Sequence, residues 1–248
     1  MMPRLGADGA PPALPIGTLI VGALALLAGA VALTFNARVL VGPINSPTLV
    51  ALVHVFTLGF VGLVFAGTLQ QLPAVMFVTK LAWPNLGYLT TPLLVLGSGA
   101  VVYGFATGFT PTYLQWGALA TSLAWLLLLV QLLATAMRRW PKDAGSHALL
   151  LSVVFLAFTV VAGFTLAGAR TSASVAKTFG YPVQLHLTLG LFGAFMLGIV
   201  GSGQKLLSMF ALSKGGAQWR VRAAIYLVAA AVVAESVEAF ARVSLGPV

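Results

Sequence analysis

The chain has 248 residues, 60% hydrophobic and only 7% charged, with a formal net charge of +9 and no cysteine. An ordinary soluble protein is about 25% charged, so a water-solvated globular fold is excluded. The basic residues sit in short segments between apolar runs rather than along one face, which excludes a nucleic-acid surface. The missing cysteines exclude disulfides, iron–sulfur clusters, thiolate metal sites and covalent c-type haem attachment.

A spanning helix needs about 20 apolar residues, and the chain supplies seven such runs within one helical bundle domain, 1–248. Arg4 ahead of the first run resembles the start of a secretory leader. The run itself, 15–35, is longer than a leader core and lacks a small-x-small exit, so it reads as a span. The others are 47–79, 86–108, 113–137, 147–169, 181–212 and 219–245, separated by turn-forming strings such as "VGPINSP", "KLAWPN", "GFTPT" and "RRWPKDAGS". The second and sixth exceed bilayer length and are expected to tilt or project, with Pro73 kinking the second. The expected fold is an all-α, polytopic integral membrane protein of about seven transmembrane helices in a lipid bilayer.

Arg4, Lys80, Arg138, Arg139, Lys142, Lys205, Lys214, Arg220 and Arg222 fall on one side; Arg38, Arg170, Lys177 and Arg242 fall on the other. Nine basic residues against four predict a cytoplasmic N-terminus. His54 and His186 then lie near the outer ends of the second and sixth spans, which run parallel. At about 1.5 Å per residue they are roughly 12 and 9 Å down their helices.

A string follows each histidine. Thr57, Leu58, Gly59, Gly62 and Gly67 match Thr188, Leu189, Gly190, Gly193 and Gly198 without a gap, and Gln71, Met76 and Phe77 match Gln204, Met209 and Phe210 after two extra residues. The histidine is one residue out of step, about 100° around the helix. The repeat suggests a duplicated four-helix unit. Its glycines serve close helix packing or a bare face for a flat cofactor. Two buried histidines at one depth are costly in a membrane. They read either as hydrogen-bonded core residues or as axial ligands of a shared haem.

The segment "HVFTLGFVGLVFAGTLQQLPAV" resembles the histidine-led helices of the haem-copper oxidase catalytic-subunit superfamily. It is closer still to that superfamily's short relatives and to the NnrS-type haem membrane proteins of the nitric oxide response. The resemblance implies a four-helix pseudo-repeat in which the second and sixth helices are equivalent. It also implies a haem-ligating histidine near the outer end of the second helix, b-type haem, and a bacterial or archaeal cytoplasmic (inner) membrane. Full members use about six histidines; this chain has three, and His147 lies at the opposite end of its span. Haem-copper oxygen reduction within the chain is therefore not expected. The expected roles are electron transfer with a redox partner protein, or O₂ and NO binding and handling; whether the chain is an enzyme stays open.

Glu235 and Glu238 share a face of the last span, on the order of 12–17 Å below the outer surface. They read as a Glu238–Arg242 pair beside a protonated Glu235, as a second metal site for Zn, Cu or Fe, or as proton carriers. Arg38 and Arg170 read as loop solubility or as partners of haem propionates. Gln70, Gln71 and Gln204 read as interhelical hydrogen-bonders, and Trp83, Trp116, Trp140 and Trp219 as interfacial anchors. Met76, Met196 and Met209 read as filler. Phosphate-binding, HExxH and nucleophile–base motifs are absent. The small unit, rich in small residues, points to a homo-oligomer (dimer or trimer). The competing function is a proton-coupled transporter of small solutes or ions without haem.

Overall fold

The computed structural model describes residues 9–140, 142–179, 183–211 and 217–245, excepting the side chains of 178, 179 and 242–245. Arg4, Lys214 and the side chain of Arg242 lie outside the described residues. Seven helices are long and apolar enough to cross a membrane: α1 (Ala13–Phe35), α2 (Pro47–Phe77), α3 (Pro84–Ala106), α4 (Pro111–Arg138), α5 (Ala144–Thr171), α6 (Val183–Phe210) and α7 (Gln218–Ala241). The protein is all-α and polytopic.

Several span starts follow from local chemistry. Pro47, Pro84 and Pro111 open their helices, where the missing N–H has no intrahelical partner to lose. The Ser46 hydroxyl accepts from Leu49 N, and the Asp143 carboxylate accepts from Ser146 N, covering orphan amides at the starts of α2 and α5. The second span breaks at Gln70–Gln71 and resumes with Pro73 in its first turn. Gln71 Nε2 donates to Ala10 O at that break, while Ala10 N donates to Gln70 O. Gln70 reaches across to Thr91 on α3.

Consecutive spans pack on one another, most extensively α5 on α6 and α3 on α4. The central core is drawn from α2 (Leu63, Phe65), α4 (Trp125, Leu128), α5 (Leu149, Val153) and α6 (Ala194). α2 and α6 therefore meet in the middle. The Phe65 ring stands edge-on to Phe195, 5.8 Å between centroids, and fills the space where a Cβ on Gly198 would lie. α1 and α7 turn long apolar faces outward, among them Ile20, Leu24 and Leu27 on α1 and Leu227, Val237 and Phe240 on α7. Trp83, Trp116, Trp140 and Trp219 are all exposed.

The repeat holds in packing as well as in sequence. Gly59 lies against Ala25 of α1, and Gly190 against Thr159 of α5; Gly67 lies against Thr18, and Gly198 against Ser152. On the α2/α6 side the offsets are equal (190 − 59 = 131; 198 − 67 = 131), and on the α1/α5 side also (159 − 25 = 134; 152 − 18 = 134). α2 on α1 and α6 on α5 are one packing arrangement used twice.

Candidate functional site

Both histidine-bearing helices lose the α-helical repeat just past the histidine. π-helical turns run over Val55–Gly62 in α2 and Thr188–Met196 in α6. The duplicated strings "TLGFVG" and "TLGLFG" lie wholly inside them. Such turns insert an extra residue, widen the helix and occur often at functional sites. Sequence reasoning missed them; the glycine-rich duplicate was the available signal.

His54 precedes Phe65 by eleven residues, and His186 precedes Phe195 by nine and Gly198 by twelve, so the two imidazoles stand at comparable distances along their helices from the point where α2 and α6 touch.

Each ring is fixed by a backbone carbonyl. His54 Nδ1 donates to Val50 O at 2.8 Å, within its own helix; His186 Nδ1 donates to Thr159 O of α5 at 3.0 Å. A carbonyl only accepts, so in the neutral ring Nδ1 carries the proton and Nε2 the lone pair. Among the described residues neither Nε2 has a hydrogen-bond partner. An imidazole oriented through Nδ1 with Nε2 bare is the form that binds a metal.

The surroundings of the rings differ. His54 packs on Phe105 of α3, centroids 4.6 Å apart; Phe105 meets Phe109 edge-on at 5.8 Å; and the Arg170 guanidinium lies 4.8 Å over Phe109. Phe109 holds a left-handed backbone (φ 65°) beside Gly108 (φ 81°), a conformation that costs a bulky residue energy. A continuous stack thus joins Arg170 to His54. His186 instead lies in a notch on α5: a Cβ on Gly163 would stand 2.9 Å from its Cε1. Gly163 corresponds to Gly29 (163 − 29 = 134), and there the notch is filled by Val55 and Phe56. His186 takes the position of Val55 (186 − 55 = 131), and His54 that of Leu185. The one-residue offset therefore aims His54 at α3 and His186 at α5.

Glu235 accepts a 2.6 Å hydrogen bond from Gln184 Nε2, two residues before His186. Glu235 is half-buried and Glu238 exposed. Among the described residues no group of three His, Cys, Asp or Glu comes together for a metal. Arg38 lines an open depression of about 490 Å³ at the turn after α1, with Phe35, Asn36 and Thr48. Lys177 is exposed on the short helix Ala173–Phe179. His147 is at the far end of the bundle, its Nδ1 3.1 Å from the Tyr226 hydroxyl. Lys205 pairs with Asp143 at 3.7 Å there.

The donor set suits a tetrapyrrole iron: two imidazoles oriented through Nδ1 with Nε2 bare, at comparable distances from the contact between α2 and α6, in apolar surroundings. Comparison with family models, curated proteins and solved structures gives no match.

Proposed function

We propose that the protein is a haem-binding membrane protein resembling a reduced haem-copper oxidase catalytic subunit, in which His54 and His186 ligate one b-type haem between α2 and α6. The supporting observation is that both imidazoles are tied through Nδ1 to a backbone carbonyl and present an unpartnered Nε2. Such orientation keeps each lone pair directed without rotameric search.

Bound haem supplies a one-electron couple and, where an axial position opens, a place for O₂ or NO. Electron transfer or handling of a diatomic gas follows. The chain's residues then divide the work. Val50 and Thr159 carbonyls hold the ring tautomers, Phe105 and Gly163 shape the walls, and Arg38 and Arg170 are the cations at that end for propionates. The small size of the unit and its many small residues favour a homo-oligomer (dimer or trimer). Nine-to-four basic asymmetry supports a cytoplasmic N-terminus in a bacterial or archaeal inner membrane, with a redox partner protein as electron source or sink.

The deciding experiment is a pyridine haemochrome assay with metal analysis on detergent-purified protein. A b-type signature is expected, with a Soret band that moves on reduction and changes in His54→Ala and His186→Ala. Folded protein that stays colourless after haemin addition overturns the reading; proton-coupled solute uptake by that colourless protein in vesicles would install the transporter in its place.

A further inference from the structure

We infer that the two imidazoles have unequal parts: His54 is the fixed anchor, and His186 is the one that yields its place to a small neutral diatomic ligand. This rests on the haem reading above and goes beyond it by naming which half of the molecule opens.

Three differences carry the inference. The His54 tether is the carbonyl four residues back in its own helix, so ring and tether move together; the His186 tether belongs to α5, so it holds only while α5 and α6 keep their spacing. One face of His54 is covered by Phe105, which Phe109 and Arg170 back in turn, whereas His186 abuts the bare backbone of Gly163. Of the three residues before each histidine, Ala51 and Leu52 are buried and Val53 exposed in α2, whereas Val183 and Gln184 are exposed and Leu185 half-buried in α6. A less covered stretch opens at lower free energy than a more buried one.

With haem bound, His54 and His186 would hold it and the iron would supply the place for the diatomic ligand; on the protein's side the change would be a swing of the His186 ring, with Nδ1 keeping its proton on Thr159 O. His54 lies beneath Phe105, whereas among the described residues no ring covers His186.

Full-chain wild type, His54→Ala and His186→Ala are purified, loaded with haemin, reduced with dithionite and exposed to carbon monoxide. The expected result is that His186→Ala keeps most of the wild-type haem and binds carbon monoxide several-fold faster than wild type, while His54→Ala loses most of its haem. His54→Gly and His186→Gly with added imidazole serve as folding controls, since a folded cavity regains the wild-type spectrum. A second readout needs no haem: in the apo-protein, diethyl pyrocarbonate is expected to modify His186 several-fold faster than His54, measured by peptide mass spectrometry. Equal haem loss in both variants, the reverse pattern, or faster modification of His54 overturns the inference while leaving the haem reading intact. Wild type that takes up no haem overturns the haem reading itself, and this assignment with it.

Discussion

In α1 and α2 the notch at Gly29 is filled by Val55 and Phe56; in α5 and α6 the equivalent notch at Gly163 holds the ring of His186. The backbone arrangement is the same, down to equal offsets between partner residues, yet one notch is plain packing and the other seats an imidazole. The partner histidine, His54, sits one helical position away and turns to α3 instead. A duplicated scaffold has thus kept its helix contacts while its polar residues moved by one residue, and that small shift turns the two rings toward different helices. Close approach is fixed by small residues and tolerates little change. Which side chain fills a notch is a more local choice.

The largest expected effect comes from separating the two halves. Gly198→Leu drives a side chain into the Phe65 ring, which already lies 2.7 Å from a Cβ placed there. Overpacking of that kind costs about 1–3 kcal/mol. Both histidines stand at comparable distances from that contact, so the variant should also lose the haem spectrum while its helix content by circular dichroism stays near wild type.

A matched pair tests the two notches directly. Gly163→Ala places a methyl group 2.9 Å from His186 Cε1, and Gly29→Ala places one 2.9 Å from Val55 Cγ1. Both should lower thermal stability, by about 1–2 kcal/mol. Only Gly163→Ala should shift the Soret band; equal spectral change in both would remove the distinction between the halves.

A smaller effect is expected from Arg170→Gln, which ends the stack over Phe109. Loss of a cation–π contact of this type amounts to about 0.5–1 kcal/mol, read as a lower melting temperature, and loss of a propionate partner should lower haem retention modestly as well. Smallest of the set is Glu235→Ala, which removes the link to Gln184. An interhelical hydrogen bond in a membrane is worth about 0.6 kcal/mol, and the variant should raise hydrogen exchange at Val183–Leu187 without altering α2.

Much of the fold was legible beforehand. Each of the seven apolar runs appears as a span, with ends within four residues of the expected positions, because length and hydropathy alone satisfy a bilayer. The expected kink at Pro73 proves to be a full break two residues earlier, at Gln70–Gln71, where the N-terminal segment docks on the freed backbone groups. Of the site, His54 and His186 were visible as costly polar residues in apolar runs. Their tethers were not: Val50 and Thr159 act through main-chain oxygens, which no residue type announces. Phe105, Phe109 and Gly163 were equally hidden, being ordinary membrane residues until a neighbouring helix gives them an imidazole to cover. Glu235 was noticed, but its partner Gln184 was not, since the pairing joins α6 to α7 across 51 positions (235 − 184 = 51).

The sequence by itself determined an all-helical membrane bundle, its seven spans and the duplicated string on the second and sixth, because each of these depends on composition and spacing along one segment. Tertiary structure alone decided that the string forms π-helical turns, that α2 and α6 cross at Phe65, and that one histidine faces α3 while the other faces α5. Those features depend on which surfaces meet. Hydropathy carries little information about that inside a bilayer, where lipid tails are as apolar as the helices they surround.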